Sequence, residues 1–337
     1  MWGLAQSIFG RALAVGSRPG YKGLQQPLAT DPMLVCVRYY HRKTNTMWSK
    51  KRVKDLPVIA DLPNSELLFG IAPIQAVLQS GSREAYALFY QGKYKGDTRS
   101  ERFETVLNMA KNMNIPTKKV PKKVLDEAVF ENVHQGLVLK VHKIIERCLR
   151  CLGKVKDGRY VLFSEENGTI LESRRKYPLW LFLDRIQDPQ NFGSILRSAT
   201  FFGADGVVIV GREGCKPSPV VCKASSGAIE FIQYFKVQDP APFFKKSKDS
   251  GWTVVCTTTR NTEEDGQGCS LDSLKALTGP TIIVLGNESD GISDSILQAS
   301  DINVHIPVGA ETPDMIDSLN VNVAAGIVLS AIKFVGE

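Results

Sequence analysis

From residue 179 onward the chain alternates short, almost unbroken apolar runs with longer segments of mixed polarity. The runs are LWLFLD, GVVIV, FIQYF, TVVCT, TIIVLG and INVHIP. Strands that are apolar on both faces belong to parallel sheets covered on both sides, so this half predicts an open α/β sheet. The preceding part carries shorter signals, with helices expected at Pro73–Gln79, Phe103–Asn112 and Lys123–Phe130. Strands are expected at Ala87–Tyr90, near Val120 and at Gly136–Val141, which completes a small α/β domain. Between the two, residues 143–176 carry Gly and charge without a sustained apolar period. They predict an irregular joint with one short strand at Tyr160–Phe163.

The last amphipathic segment poses a question of its own. In DSLNVNVAAGIVLS, residues 317–330, the positions Val321, Ala324, Ala325, Val328 and then Ile332 recur at helical spacing. Ser318 and Asn320 stand just before that face, where such residues commonly satisfy free N–H groups of a helix start. Capping and a role in a site are both open on this stretch alone.

At 337 residues the chain is long for one domain and comfortable for two. No apolar run has the length of a membrane span, and the opening lacks the pattern of a secretory signal, so an intracellular protein is expected. Charge is uneven. Residues 1–54 hold ten Lys or Arg and one acid, Asp31, a net +9 against +7 for the whole chain, which leaves the rest near −2. With Trp2, Leu4, Ile8, Phe9 and Leu13 available for an apolar face, this opening reads as a mitochondrial transit peptide, and a basic nucleic-acid-binding arm is the rival. The expected layout is a transit peptide over 1–45, a basic linker over 46–64, a small domain over 65–142, a linker over 143–176 and a second domain over 177–337.

Seven cysteines, an odd number without a secretory signal, argue against a disulfide framework. Cys148 and Cys151 have zinc-like spacing but lack a second close pair, and the four histidines are dispersed, so no metal is expected. HExxH, Walker A and GxGxxG motifs are absent from the sequence. That removes the usual fingerprint of a nicotinamide enzyme.

The polar residues of the second domain gather just after strands, where open α/β sheets bind ligands. Asn191, Gly193 and Arg197 follow LWLFLD, NESDGIS follows TIIVLG, and the loop toward Ser318 and Asn320 follows INVHIP. In order, Asn191-x-Gly193-x-x-x-Arg197, Gly286-x-Glu288-x-x-Gly291, and Ile306-Pro307 with Ser318-Leu319-Asn320-Val321 resemble the three motifs of the SpoU (TrmH-like) ribose methyltransferases. Upstream, LFGIAPIQAVLQ and VHQGLVLKV look like the ends of that family's small RNA-binding domain, so the likeness spans about residues 66–335.

The resemblance implies a C-terminal knotted, mostly parallel sheet with helices on both faces, preceded by a small α/β RNA-binding domain. It implies a homodimer without membrane insertion. S-adenosyl-L-methionine is the implied cofactor, held at Leu285, Gly286, Asn287, Ile306, Val308, Ser318 and Leu319. The implied catalytic set is Asn191, Arg197, Glu288, Ser318 and Asn320. The implied reaction, given the transit-like opening, is 2′-O-methylation of a guanosine in mitochondrial large-subunit ribosomal RNA, in the mitochondrial matrix. Physically, Arg197 suits a phosphate clamp, because its guanidinium is always protonated and therefore unsuited to act as a general base. RNA contact is expected from Lys93, Tyr94, Lys95, Arg99 and Arg102 and from Lys118 and Lys119, where cations interleave with aromatics. The acids Glu311, Asp314 and Asp317, in a loop longer than is usual in bacterial relatives, border the expected pocket and would repel phosphate. Rival functions are a catalytically silent RNA-binding assembly factor and a transfer-RNA methyltransferase of the same family.

Overall fold

The computed structural model describes residues 62–92, 98–165, 168–173, 175–211, 213–258, 268–309, 313 and 318–332. The transit-like opening, Lys93, Tyr94, Lys95 and the loop acids Glu311, Asp314 and Asp317 lie outside the described residues.

The small domain runs β1 (Ser65–Phe69), α1 (Ile71–Ser80), β2 (Ala85–Tyr90), α2 (Thr98–Asn112), β3 (Thr117–Lys119), α3 (Lys122–Ala128) and β4 (Leu137–His142). Its sheet has the order β1-β4-β2-β3, with β4 antiparallel to both neighbours and β3 parallel to β2. Every helix and strand expected here is present. β1 is an addition: five residues directly ahead of a helix leave too short a pattern to stand out.

The expected strand at Tyr160–Phe163 is present as β6 (Arg159–Ser164), but the segment expected to be otherwise irregular adds β5 (Leu149–Leu152) and β7 (Gly168–Glu172), and the three form an antiparallel sheet. Asp157 and Gly158, both at positive φ, form a two-residue turn between Lys156 and Arg159, which exchange backbone hydrogen bonds at 2.8 and 2.9 Å. Asp-Gly is among the strongest hairpin signals in any sequence, and this correction was available from it.

Seven parallel strands form the main sheet: β8 (Leu179–Leu183), β9 (Gly206–Val210), β10 (Gln233–Val237), β11 (Thr253–Thr258), β12 (Gly268–Ser270), β13 (Thr281–Leu285) and β14 (Ile302–His305). Their order is β10-β9-β8-β13-β11-β14-β12. The FIQYF strand starts two residues later than expected, because Phe231 ends a short 3-10 turn over Ala228–Glu230 and pairing with β9 begins at Gln233.

Helices α4 (Pro189–Phe201), α5 (Pro219–Ala224) and α8 (Val321–Ala331) cover one face. In α4 the buried residues Phe192, Ile195, Leu196 and Ala199 follow helical spacing, and in α8 Val321, Ala325, Val328 and Leu329 do the same. Gly193 lets α4 meet α5 closely, since a Cβ there would stand 2.5 Å from the Ala224 Cβ. The other face is covered by α6 (Pro240–Asp249), α7 (Asp294–Leu297) and the inner side of β5–β7. There Leu149, Leu152, Tyr160 and Leu162 pack on Trp180, Phe182, Phe243 and Trp252. The Trp180 indole donates to the Tyr160 hydroxyl at 2.7 Å, and the Trp252 indole to the Gly153 carbonyl at 2.9 Å, so both of these buried indole nitrogens are paired.

The small domain shares a core with the first face. Gly227 makes the approach possible, because a Cβ there would lie 2.3 Å from the Ala76 Cβ. Arg83 holds this junction. Its Nη1 lies 2.5 Å from Glu66 Oε1, its Nε donates to Glu230 Oε2 at 3.1 Å, and Ser82 Oγ donates to the same oxygen at 2.6 Å. The Arg83 and Glu230 side chains are 4% and 1% exposed, and burial raises the Glu66 carboxyl above its usual range despite the neighbouring guanidinium. Removing one member of a buried pair strands the other, so Arg83→Met is expected to cost roughly 3–5 kcal/mol of stability. Chemical denaturation tests this, and Arg83→Met combined with Glu230→Gln should recover part of the loss. An unchanged midpoint for Arg83→Met would contradict it.

Candidate active site

The three polar loops meet at the carboxyl edge of the main sheet. Helix α4 starts where Asp188 Oδ1 accepts the Gln190 N–H at 2.7 Å, with Pro189 in the first turn. Asp188 therefore caps this helix and leaves the Asn191 amide for other work. Asn191 Nδ2 donates to Glu288 Oε1 at 2.8 Å, and Asn320 Nδ2 donates to Asn191 Oδ1 at 3.1 Å. Asn320 Oδ1 in turn accepts the Asn322 N–H at 3.0 Å and caps α8. Asn320 thus caps a helix and joins a site at once. The chain Glu288–Asn191–Asn320–α8 fixes which way each amide points, because a carboxylate accepts only and a backbone N–H donates only.

The loop carrying Glu288 is rigidly built. Asn287 and Gly291 exchange backbone hydrogen bonds at 2.9 and 3.1 Å. The Asn287 side chain accepts from Ser289 and Asp290 N–H at 2.8 and 3.1 Å and donates to the Arg185 carbonyl at 2.7 Å. At Gly286 a Cβ would stand 2.4 Å from the Gly291 carbonyl carbon and 2.5 Å from the Ile292 nitrogen, so only glycine lets the loop fold back on itself. Asp184, buried at the end of β8, accepts the Ser293 N–H at 2.7 Å and secures the far end of the loop. Asp184 and Arg185 are structural contributors that motif reading missed. Their signal was the Asp ending the apolar run LWLFLD.

The expected cofactor positions divide by exposure. Leu285 is buried core, so only its backbone can meet a ligand, and the Asn287 side chain is committed to the loop. Ile306 is half-buried, whereas Val308 and Leu319 are exposed at 60% and 47% on neighbouring segments after β14. A close-folded glycine loop beside exposed aliphatic side chains fits an adenosyl group, which needs backbone contact at its edge and apolar walls on its faces. Ser318 is exposed beside them.

Arg197 stands apart from the amide cluster. It lies six helical steps beyond Asn191, about 9 Å along the axis and roughly 120° around it. It is exposed and forms no ion pair with any described residue. Such a position suits a second group of an extended ligand. Cys215 lies nearby, but burial first, then the Asp188 and Glu288 carboxylates, push its thiol up to about 11, which leaves it protonated and poorly nucleophilic.

In the small domain, Lys119 is exposed and borders an open depression of about 560 Å³ with Gln91, Gly92, Val120, Pro121 and Lys122. Lys118, its neighbour on β3, is half-buried and does not line the depression. Arg102 is exposed on α2 and donates to Gln75 Oε1 at 3.5 Å. The Arg99 side chain lies outside the described residues.

A family model described as the SpoU rRNA Methylase family matches residues 178–330, and one described as RNA 2′-O ribose methyltransferase substrate binding matches residues 67–146. The chain is 34% identical over 271 residues to rRNA methyltransferase 1, mitochondrial, of Homo sapiens, covering 79% of this chain and 72% of that protein. It is 34% identical over 276 residues to the protein of the same name in Schizosaccharomyces pombe, covering 79% and 89%. Its fold is similar to that of an AdoMet-bound rRNA methyltransferase from Sinorhizobium meliloti, with a TM-score of 0.59 at 19% identity over 90% of this chain and 94% of that one. Motif order, the joined loops and relatives at this identity over most of both chains lead to one conclusion: the chain belongs to the SpoU rRNA methylase family.

Proposed function

We propose that this protein is an S-adenosyl-L-methionine-dependent RNA methyltransferase that methylates a ribose 2′-oxygen of mitochondrial ribosomal RNA. The observation that carries the reading is the hydrogen-bonded union of Glu288, Asn191 and Asn320, one residue from each of the three motifs. The mitochondrial relatives support the compartment and the RNA class. Guanosine as the target and the matrix as the site of action extend the sequence resemblance.

Residues 285–287, 306, 308 and 318–319 would hold the cofactor, Leu285 through its backbone, and the cofactor would supply an electrophilic methyl group on a sulfonium leaving group. Asn191 and Asn320, oriented by Glu288 and by the α8 cap, present amide donors and acceptors to a ribose. Arg197 binds an RNA phosphate and favours negative charge on the attacking oxygen. The 2′-oxygen so placed would accept the methyl group that the cofactor supplies, and its proton would pass to the clamped phosphate or to solvent.

The layout of transit peptide 1–45, basic linker 46–64, RNA-binding domain 65–142, linker 143–176 and methyltransferase domain 177–337 belongs to the same proposal, as do the knot and the homodimer. Exposed Val323 in the first turn of α8 supports a partner surface there. Among the described residues no helix is long and apolar enough to cross a membrane.

Calorimetric titration with S-adenosylmethionine tests the reading. Binding is expected, and its absence would favour the silent assembly factor. Asn320→Asp separates capping from chemistry, because Asp keeps the acceptor for Asn322 but turns a carboxylate oxygen toward Asn191 Oδ1. Thermal stability should stay within about 0.5 kcal/mol, since Asp and Asn cap equally well, while methyl transfer falls. Parental turnover in this variant would make Asn320 a cap only. A fusion of residues 1–54 to a fluorescent reporter is expected to enter mitochondria, and a nuclear or diffuse signal would contradict the localisation.

A further inference from the structure

We infer that the outer face of the β5–β7 sheet is a second RNA contact, on which an unpaired base stacks against Phe163 while Arg150, Lys246 and Arg159 meet the flanking phosphates. The inference rests on the reading of the chain as an RNA methyltransferase.

The inner face of this sheet is fully used. Leu149, Leu152, Tyr160 and Leu162 are buried against the main sheet, and the Leu152 N–H donates to Ser247 Oγ of α6 at 3.1 Å. Because side chains alternate, the outer face carries Arg159, Val161 and Phe163 from β6, and Gly168, Ile170 and Glu172 from β7. Phe163 is 44% exposed and Ile170 72%, so two large apolar side chains share this open face.

Glycines shape the surroundings of the ring. Gly168 is the direct cross-strand partner of Phe163, and Gly153 lies so close that a Cβ there would be 2.9 Å from the ring Cε2. One side of the ring is thus seated against backbone, and no side chain projects from the paired β7 position. That arrangement leaves room for a flat group.

Charge selects the occupant. Residues 147–176 hold eight Lys or Arg against four acids, a net +4, within a chain that is near −2 beyond residue 54. Cys151 lies directly opposite Phe163, Arg150 beside it on β5 is exposed, and exposed Lys246 immediately precedes Ser247, whose Oγ accepts the Leu152 N–H. Arg159 stands two residues from Val161 on the same face, 3.3 Å from Glu172. An aromatic ring on an open sheet, rimmed by cations, is the combination that binds single-stranded nucleic acid. A protein partner would be served by the apolar side chains alone and would not call for the surplus of cations.

The test uses the full chain and a labelled oligouridine, with a duplex of equal length for comparison. Phe163→Ala is expected to weaken oligouridine binding about fivefold or more, the weak end of base–aromatic stacking, and Phe163→Trp to restore it. Duplex binding and S-adenosylmethionine affinity should not change. Arg150→Ala with Lys246→Ala should lower the slope of log affinity against log salt by about two. Photo-crosslinking of a 4-thiouridine oligomer should yield peptides containing Phe163. Equal binding by parental protein and Phe163→Ala, or crosslinks confined to the small domain, would overturn the inference. A change in sedimentation of the free Phe163→Ala protein would also overturn it, by marking a protein interface. If the parental protein bound neither oligouridine nor S-adenosylmethionine, the enzymatic reading itself would fall.

Discussion

Gly286→Ala is expected to weaken S-adenosylmethionine binding by at least about a hundredfold, roughly 2.7 kcal/mol. The new methyl group would meet the Gly291 carbonyl carbon at 2.4 Å and the Ile292 nitrogen at 2.5 Å, both backbone atoms. Backbone cannot step aside as a flexible side chain does, so the turn must open and the paired hydrogen bonds between Asn287 and Gly291 must break. Glu288 then moves away from Asn191, and turnover is lost with affinity. Gly291 supplies the control. It has φ +70 with open space around its Cβ position, and Asn tolerates that conformation, so Gly291→Asn should bind within about tenfold of the parental protein. Calorimetry on both variants decides the matter. Parental affinity in Gly286→Ala would show that the cofactor does not depend on this turn.

Arg197→Ala is expected to leave cofactor affinity nearly unchanged and to slow methyl transfer by about a hundredfold or more, the scale of removing one transition-state donor. The residue lies on a different side of α4 from Asn191 and forms no ion pair with a described residue, so the Glu288–Asn191–Asn320 hydrogen bonds do not depend on it. Arg197→Lys keeps the charge without the planar fork and should remain largely inactive. Single-turnover transfer, measured beside calorimetry, separates the two effects. A parental rate in Arg197→Ala would reduce Arg197 to a surface residue of its helix.

The strands of the main sheet were legible because each is a continuous apolar run bounded by polar residues, the pattern that a doubly covered parallel sheet imposes. Of the smaller sheet only β6 was legible, as the apolar run Tyr160–Phe163, whereas β5 and β7 are four- and five-residue strands of mixed polarity whose pairing follows from the two-residue turn at Asp157-Gly158 and from contacts across the sheet. The candidate site was legible as three motifs, yet motifs carry no directions. That Asp188 frees Asn191 by capping α4, and that Asn320 caps α8 while bonding Asn191, depends on how loops 97 and 129 residues apart in sequence meet. The Arg83–Glu230 pair, 147 residues apart, was equally out of reach, since neither residue sits in a local pattern that marks it as buried. Nor could pattern alone separate Lys119, which borders the small-domain depression, from Lys118, which does not, because in a strand adjacent residues face opposite ways.

The most direct test is to incubate the purified protein with S-adenosylmethionine and a transcript of mitochondrial large-subunit ribosomal RNA, then map positions resistant to alkaline cleavage. The expected result is one new resistant linkage, at a guanosine, that is absent when Arg197→Ala replaces the parental protein. Methyl groups incorporated on a base, or none at all from a protein that binds the cofactor, would contradict ribose methylation as its function.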